Sequence, residues 1–260
     1  MSAGDSTPNR RELIFLGAIL GASLILASLV VGWVIYHVKT FDSSVITVTG
    51  VAQKEIKSDI VKWRSSFSLQ TGPTSADLMR GSATMRSDLA EILAYVTAHG
   101  VSGSEVTVLP LSVSATYQSS NGSVGDRSSG RLAGYRLSQE LLIESDKVDA
   151  ITKLARDASQ FFVGKGIVFS GQDPAYYLKN RTLDASRQQL LAEALADAKR
   201  RAEAITQGVG ASVGALRSST IGVTQITPVY STEISNYGAY DTTTIEKLIT
   251  YLVRATFTMR

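Results

Sequence analysis

An uncharged apolar stretch near the N-terminus, residues 13–38, limits what this chain can fold into. It carries no Asp, Glu, Lys or Arg, and as a helix it would be about 39 Å long at roughly 1.5 Å per residue. The hydrocarbon core of a bilayer is about 30 Å thick and takes about 20 apolar residues to cross. The stretch therefore predicts a transmembrane helix, with a polar tail over residues 1–12, a linker over 39–44 and a folded domain over 45–260.

A cleaved signal peptide and a buried core helix are the two alternatives to a transmembrane helix for this stretch. A cleaved signal peptide has an apolar region of about 7–15 residues followed by a small-residue site, whereas this stretch is longer and ends in YHVK at residues 36–39. A buried core helix of this length would carry a polar face. We therefore expect an uncleaved single-pass anchor. The basic residues before and after it are nearly balanced in number, so the positive-inside rule alone does not fix its orientation.

Small residues recur along the predicted anchor at four-residue steps, Gly17 with Gly21 and Ser28 with Gly32. Such steps let two helix backbones approach closely in lipid, so these four residues are candidate transmembrane packing positions. Glycine is also common in membrane helices for other reasons. That simpler interpretation is the favoured one.

The composition excludes several kinds of chemistry. The net charge of +3 comes from 26 basic and 23 acidic residues that are dispersed, which argues against a nucleic-acid partner. The absence of cysteine excludes disulfides, thiolate metal sites and cysteine nucleophiles. The only histidines are His37, at the end of the anchor, and His99, which precedes a glycine and predicts a helix C-cap. We expect no metal, no cofactor and no catalytic residue.

One short pattern resembles a catalytic motif and fails on its context. Gly210, Ser212 and Gly214 match G-x-S-x-G, but that motif needs a strand before it and a helix after it. Here the predicted order is reversed, and no histidine follows. Asp146 and Asp149 are acids on one predicted helix, where solvated charge is the default interpretation. The sequence therefore predicts that the protein is not an enzyme.

Alternation of apolar and polar residues predicts strands, and apolar residues spaced three and four apart predict helices. The predicted strands are 45–51, 57–71, 105–118, 135–143, 167–170, 211–227 and 245–259, and the predicted helices are 74–99, 146–160 and 180–207. Ser145-Asp146 predicts the cap of the second helix, Pro110 a strand edge or bulge, and 119–131 a mobile loop with a glycosylation sequon at Asn121. The strands mostly alternate, which favours an α+β fold over a doubly wound one.

Five segments in order carry a resemblance to a known family. They are Ile46-Thr47-Val48-Thr49-Gly50; Ser58-Asp59; Gly134-Tyr135; Gly166-Ile167-Val168-Phe169; and an alanine-rich helix with Ala185, Ala192, Leu195, Ala198 and Ala202 that ends at Gly208 and Gly210. Together they resemble the SIMPL-domain family, also called the DUF541 or periplasmic immunogenic protein family, over roughly Val45 to Met259. The chain departs from the family's pattern in two places. The family commonly has Pro-Asp where this chain has Ser58-Asp59. Family members also more often have a cleaved signal peptide, whereas this chain is expected to keep its anchor.

The resemblance implies a bacterial envelope protein that forms large ring- or barrel-like homo-oligomers, with suggested links to oxidative and envelope stress and no agreed catalytic or metal residue. Apart from the resemblance, the order of strands and helices predicts a mixed or antiparallel sheet, or two small sheets, with helices packed on one face. We expect a single-pass protein of the inner membrane with its domain in the periplasm. Its expected partners are the bilayer and other copies of itself.

Three tyrosines in one polar loop, Tyr230, Tyr237 and Tyr240, are candidate oligomer contacts, although ordinary loop aromatics explain them equally well. The alternative function, from a different class, is a monomeric envelope sensor or adaptor that binds a ligand or another membrane protein. An apolar groove left unfilled by self-association would favour that alternative.

Overall fold

The computed structural model describes residues 10–41, 44–118, 130–232 and 235–260. In chain order the elements are α1 (Arg10–Phe41), β1 (Val45–Lys57), β2 (Ile60–Thr71), α2 (Ser75–Ala98), β3 (Val106–Val108), β4 (Ser112–Gln118), β5 (Arg131–Ser145), α3 (Val148–Gly164), β6 (Val168–Gly171), β7 (Ala175–Tyr177), α4 (Asn180–Gln207), β8 (Val213–Ile221), β9 (Gln225–Pro228), β10 (Ala239–Tyr240) and β11 (Glu246–Met259). The Asn121 sequon, nearly all of its loop and most of the polar tail lie outside the described residues.

Helix α1 includes the predicted anchor and extends three residues beyond it at each end. Its segment Ile14–Tyr36 is long and apolar enough to cross a membrane, and none of it is buried within the protein. A single-pass membrane anchor and a signal sequence both have this length and composition near an N-terminus. One N-terminal apolar helix is therefore followed by the folded part of the chain.

The chain divides into two compact units. The first unit contains residues 1–50, 195–221 and 253–260, and the second contains residues 51–194 and 222–252. Elements β1, α4 and β11 each contribute residues to both units. Each unit has its own hydrophobic cluster and is described separately below.

The second unit is built on an antiparallel sheet in which β5 and β2 are the central strands. Strands β3 and β4 pair with the outer edge of β5, and β6 and β7 pair with the outer edge of β2. Alternation along β2 places Trp63 and Phe67 on the face that α2 and α3 cover, where they form one core with residues such as Phe162. The opposite face is polar, and Lys62 and Glu144 form an ion pair of 2.9 Å across it.

The second unit also contains a smaller group of strands. The N-terminal part of β11 pairs antiparallel with β9, with Lys247 opposite Pro228. Strand β9 also pairs with β10, in parallel. Parallel and antiparallel neighbours therefore occur together, and the predicted α+β class with mixed and antiparallel sheets is confirmed.

The first unit packs the C-terminal half of α4 against a small sheet. Residues Val253–Met259 of β11 pair antiparallel with β8, and β1 is the other neighbour of β11. Ala198 and Ala202 are fully buried against apolar residues of the sheet, namely Val48, Ala255 and Phe257. Their methyl groups let the helix lie close to the strands, as the four-residue alanine spacing predicts.

Two local predictions need correction or refinement. Ser145-Asp146 does not cap α3, because the N-cap residue is Lys147 and no side chain caps the helix there. The Ser145 hydroxyl instead donates to Glu105 at 2.6 Å and accepts from the amide of Lys147. The single strand predicted over 105–118 is broken around Pro110 into β3 and β4, since proline cannot donate a ladder hydrogen bond. His99 is the C-cap residue of α2, as predicted.

Gly134 is required where β5 passes the end of β2. A Cβ atom there would clash with the carbonyl oxygen of Thr71, which belongs to the neighbouring strand and cannot move away.

We expect Gly134→Ala to lower the free energy of unfolding by about 1–3 kcal/mol, as overpacking in a fixed core does. Urea unfolding of the full chain in detergent measures this loss. Gly164→Ala is the matched control, because a Cβ at Gly164 meets nothing within 4 Å, and an equal loss there would contradict the explanation.

Glu105 predicts a pH dependence. Hydrogen bonds from the Ser145 hydroxyl, the Ser102 backbone and the Ser102 hydroxyl lower the pKa of Glu105 from 4.5 to about 2. Since the pKa in the folded state is the lower one, the carboxylate contributes stability fully above pH 4.5 and loses that contribution as the pH falls toward 2. We expect the stability difference between the wild type and Glu105→Gln to shrink over that range in urea titrations. A difference that stays constant with pH would contradict this role.

Candidate functional site

The three tyrosines singled out from the sequence lie in the connection between β9 and β11, in the second unit. The side chains of Tyr230 and Tyr237 are 92% and 97% exposed. Tyr240 is held differently, since its hydroxyl accepts a hydrogen bond of 3.0 Å from the amide of Leu178 and its ring stacks on Tyr177. Tyr230 and Tyr237 therefore project into solvent, whereas Tyr240 holds the loop in place through its contacts with Leu178 and Tyr177. Their role as oligomer contacts stays a prediction.

The loop that carries these rings is fastened to β9 by polar contacts. The buried side chain of Gln225 donates to the carbonyl of Ser235 at 3.1 Å and accepts from its amide at 3.4 Å. The Ser235 hydroxyl in turn accepts from the amide of Tyr237 at 3.2 Å. Strand β10 then pairs with β9 just beyond Tyr237. The backbone that carries the exposed ring of Tyr237 is therefore held on both sides of it.

The end of the loop is closed by a buried ion pair. Lys247 is completely buried, and its Nζ donates to the carboxylate and the carbonyl of Asp241 and to the carbonyl of Thr244. All three ammonium protons thus have an acceptor, which a buried cation requires. Burial opposes ionisation of Asp241, but hydrogen bonds from Thr244, Lys247 and Thr243 outweigh it and hold the pKa of Asp241 well below its ordinary value.

A groove of about 430 Å³ lies beside the same loop. Ser231 and Thr232, which follow Tyr230, form part of its wall. The apolar part of the lining comes from Val51, Leu248 and Leu252, and the rest is amide and hydroxyl groups with no charged side chain. A surface of this kind suits an uncharged ligand or an extended peptide held by van der Waals contacts and a few hydrogen bonds.

Two strand edges complete the candidate surfaces. In the second unit, the outer edge of β4 has no strand partner among the described residues, and its residues 112–115 are exposed. In the first unit, β8 is exposed over most of its length, and β11 is its only neighbouring strand in the described part of the chain. Unpaired edges of this kind offer backbone donors and acceptors to another strand.

Within the described residues, no group of three or more His, Cys, Asp or Glu side chains is arranged to hold a metal ion. The G-x-S-x-G segment follows α4 and runs into the first residues of β8, so a helix precedes it and a strand follows, the reverse of a nucleophile elbow. Ser212 uses its hydroxyl to bond the carbonyl of Arg260 at 3.2 Å. The acids Asp146 and Asp149 form exposed ion pairs with Lys179 and Lys57. The expectation of no catalysis stays a prediction.

The predicted packing residues of the anchor, Gly17, Gly21, Ser28 and Gly32, are on α1. Their side chains are exposed, and a Cβ added at Gly17, Gly21 or Gly32 would meet nothing within 4 Å. Ser28 uses its hydroxyl to bond the carbonyl of Ile25 in its own helix. Their role in packing against another helix stays a prediction.

Asp59 has a structural role that the sequence did not reveal. Its carboxylate accepts hydrogen bonds from the amide of Lys179 at 2.7 Å and from the hydroxyl of Thr182 at 2.6 Å. These groups are at the start of α4, where unpaired amides and the helix dipole favour a negative charge. An acid that follows β1 therefore caps a helix that begins 121 residues later. The neighbouring Ser58 hydroxyl is buried and has no hydrogen-bond partner among the described residues.

Comparison with known families agrees with the fold. The model of the SIMPL family, described as a protein of unknown function (DUF541), matches residues 46–257, which is most of the chain. The chain therefore belongs to the SIMPL family. No curated protein matches the sequence. The resemblance inferred from five short segments is thereby confirmed, and two of those segments now have a structural reason in the cap made by Asp59 and the close approach at Gly134.

The buried ion pair gives the next prediction. Lys247→Met leaves the Asp241 carboxylate buried without its cation, and we expect the free energy of unfolding to fall by about 3–5 kcal/mol. The matched control is Lys165→Met, which removes an ion pair to Glu91 between two side chains that are nearly half exposed, and we expect a change of at most about 1 kcal/mol. Urea unfolding of the full chain in detergent compares them. Equal losses of unfolding free energy in the two variants would contradict the prediction that breaking the buried pair costs more than breaking the exposed one.

Proposed function

We propose that this protein is a membrane-anchored envelope protein whose folded part self-associates, without catalysis, into a ring- or cage-like assembly. Membership of the SIMPL family and the N-terminal apolar helix fit a membrane-anchored envelope protein. The proposal places the anchor in the inner membrane and the folded part in the periplasm, the usual arrangement for a short N-terminal tail and a large following domain. A link to envelope or oxidative stress rests on the family resemblance alone.

The observation that carries self-association is the pair of exposed rings on a fastened loop. Tyr230 and Tyr237 expose nearly their whole side chains to solvent, while Gln225 and the Asp241–Lys247 pair hold the loop around them. Aromatic side chains dominate the energetics of many protein interfaces. Backbone that hydrogen bonds already hold beside Tyr237 loses little conformational entropy on binding, so more of the energy of ring burial is available for association.

Two further features support the same proposal. The exposed edge of β4 can add a strand from another copy through backbone hydrogen bonds. One anchor per chain confines the copies to a plane and raises their effective concentration, so that a modest interface suffices. No titratable side chain lines the groove beside the tyrosine loop, which agrees with a binding role for that region.

The mass of the full chain in mild detergent tests the proposal. We expect a discrete species several times the 27.8 kDa of one chain. We expect the double variant Tyr230→Ser/Tyr237→Ser to shift the mass toward the monomer, because the exposed rings no longer bury apolar area. Met79→Ser is the control, since Met79 is also apolar and exposed but lies on α2. A wild-type protein that is monomeric at micromolar concentration would contradict self-association.

The second candidate function is a monomeric sensor or adaptor, and the groove beside the loop is the observation that favours it. The groove is open in the single chain and is lined by neutral side chains. A monomeric wild type would give this alternative the lead. In that case Thr227→Trp, which fills the groove, is expected to reduce capture of a partner from solubilised membranes, and Met79→Ser is expected to leave it unchanged.

A further inference from the structure

One end of the first unit is tied closely to the predicted membrane span. Helix α1 ends at Phe41, and β1 begins at Val45. Three Cα steps of about 3.8 Å place Ser44 within about 11 Å of Phe41, whatever path the chain takes. If Ile14–Tyr36 crosses a bilayer, the part of the first unit that surrounds Ser44 lies within a short distance of the lipid headgroups.

Backbone hydrogen bonds identify what surrounds Ser44. Its carbonyl accepts a bond of 2.8 Å from the amide of Met259, at the end of β11. The next residue, Arg260, exchanges two backbone bonds of 2.9 and 2.7 Å with Ser212. Ser212 directly follows the turn from α4 to β8. That turn is therefore at the same end of the unit as the short connection between α1 and β1, which is called the tether below.

The α4–β8 turn, residues 205–211, presents apolar side chains outward. The amide of Ala211 bonds the carbonyl of Thr206 and the amide of Gly210 bonds that of Gln207, with Gly210 at a φ of 71°. This is a Schellman motif, in which a left-handed glycine ends the helix. It leaves Val209 73% exposed, and Ile205, one helical turn earlier, 54% exposed. No charged residue occurs from Ile205 to Leu216, although 19% of the chain is charged.

We propose that the α4–β8 turn docks on the headgroup region of the bilayer that holds α1, with Val209 and Ile205 as the inserted side chains. This inference rests on the anchoring part of the proposed function. Apolar side chains gain free energy when they leave water for the interfacial region, where amphipathic elements sit about 5–10 Å deep. Because the tether keeps the turn beside the membrane, a small apolar contact is enough to hold it there. The exposed guanidinium of Arg260 at the same end matches lipid phosphate.

The absence of cysteine in this chain makes a direct test simple. The variant Val209→Cys, carrying an environment-sensitive fluorophore, is reconstituted as the full chain in vesicles of phosphatidylcholine and phosphatidylglycerol, some of which contain a lipid with a nitroxide on its headgroup. Ile221→Cys is the matched control. It is 52% exposed and lies at the opposite end of β8, about 26 Å from Val213 at roughly 3.3 Å per residue. Alkaline extraction of the same vesicles reports separately whether α1 is inserted.

We expect the label at position 209 to lose several times more emission to the nitroxide lipid than the label at position 221. Protein that resists alkaline extraction but shows equal quenching at both positions, or none at 209, overturns the docking proposal and leaves the anchor in place. A blue-shifted label at 209 that the lipid does not quench assigns the surface to a second copy and also overturns it. Protein released by alkaline extraction overturns both the anchor and the docking.

Discussion

The antiparallel pairing of β2 with β5 is the constraint on which the second unit depends. The two strands are in register from Val61 opposite Ser145 to Thr71 opposite Tyr135. Strand side chains alternate between faces, so a shift by one residue would turn Trp63 and its inward neighbours toward solvent. The same pairing fixes where α2 and α3 find a surface to cover, and it requires glycine where β5 passes the Thr71 carbonyl.

Two polar side chains, the half-buried Asp59 and the buried Lys247, then determine how further parts of the second unit are arranged on this framework. Asp59 binds the first residues of α4 and thereby fixes where that helix starts relative to the end of β1. Lys247 is enclosed by acceptors from Asp241 and Thr244, which closes the tyrosine loop onto the start of β11. Such buried pairs add little net stability, because desolvation offsets most of the attraction, but breaking one is costly. Their effect here is to hold the backbone at the end of the loop that carries Tyr237.

The first unit follows a simpler physical principle. Alanine at four-residue steps brings α4 close to a narrow sheet, and the tether to α1 enters at the end of that sheet where β11 finishes and β8 begins. A domain joined this closely to a membrane span has limited freedom to turn, so the chemistry of its nearest surface matters. The short tether would keep the uncharged α4–β8 turn close to the membrane, so the two features act together.

The sequence alone determined the apolar helix, the α+β class, the family and most of the element order, because periodicity, composition and glycine spacing are local signals. The sequence also indicates that Lys247 is buried. That lysine continues the inward alternation of Ile249, Tyr251 and Val253, so it had to be buried with a partner. Tertiary structure decided the rest. The partner of Ser145 is Glu105, and the helix capped by Asp59 begins far along the chain. Tyr240 is held by the amide of Leu178, whereas Tyr230 and Tyr237 are almost fully exposed. These outcomes depend on contacts between residues distant in sequence, and no local pattern specifies which pairs will meet.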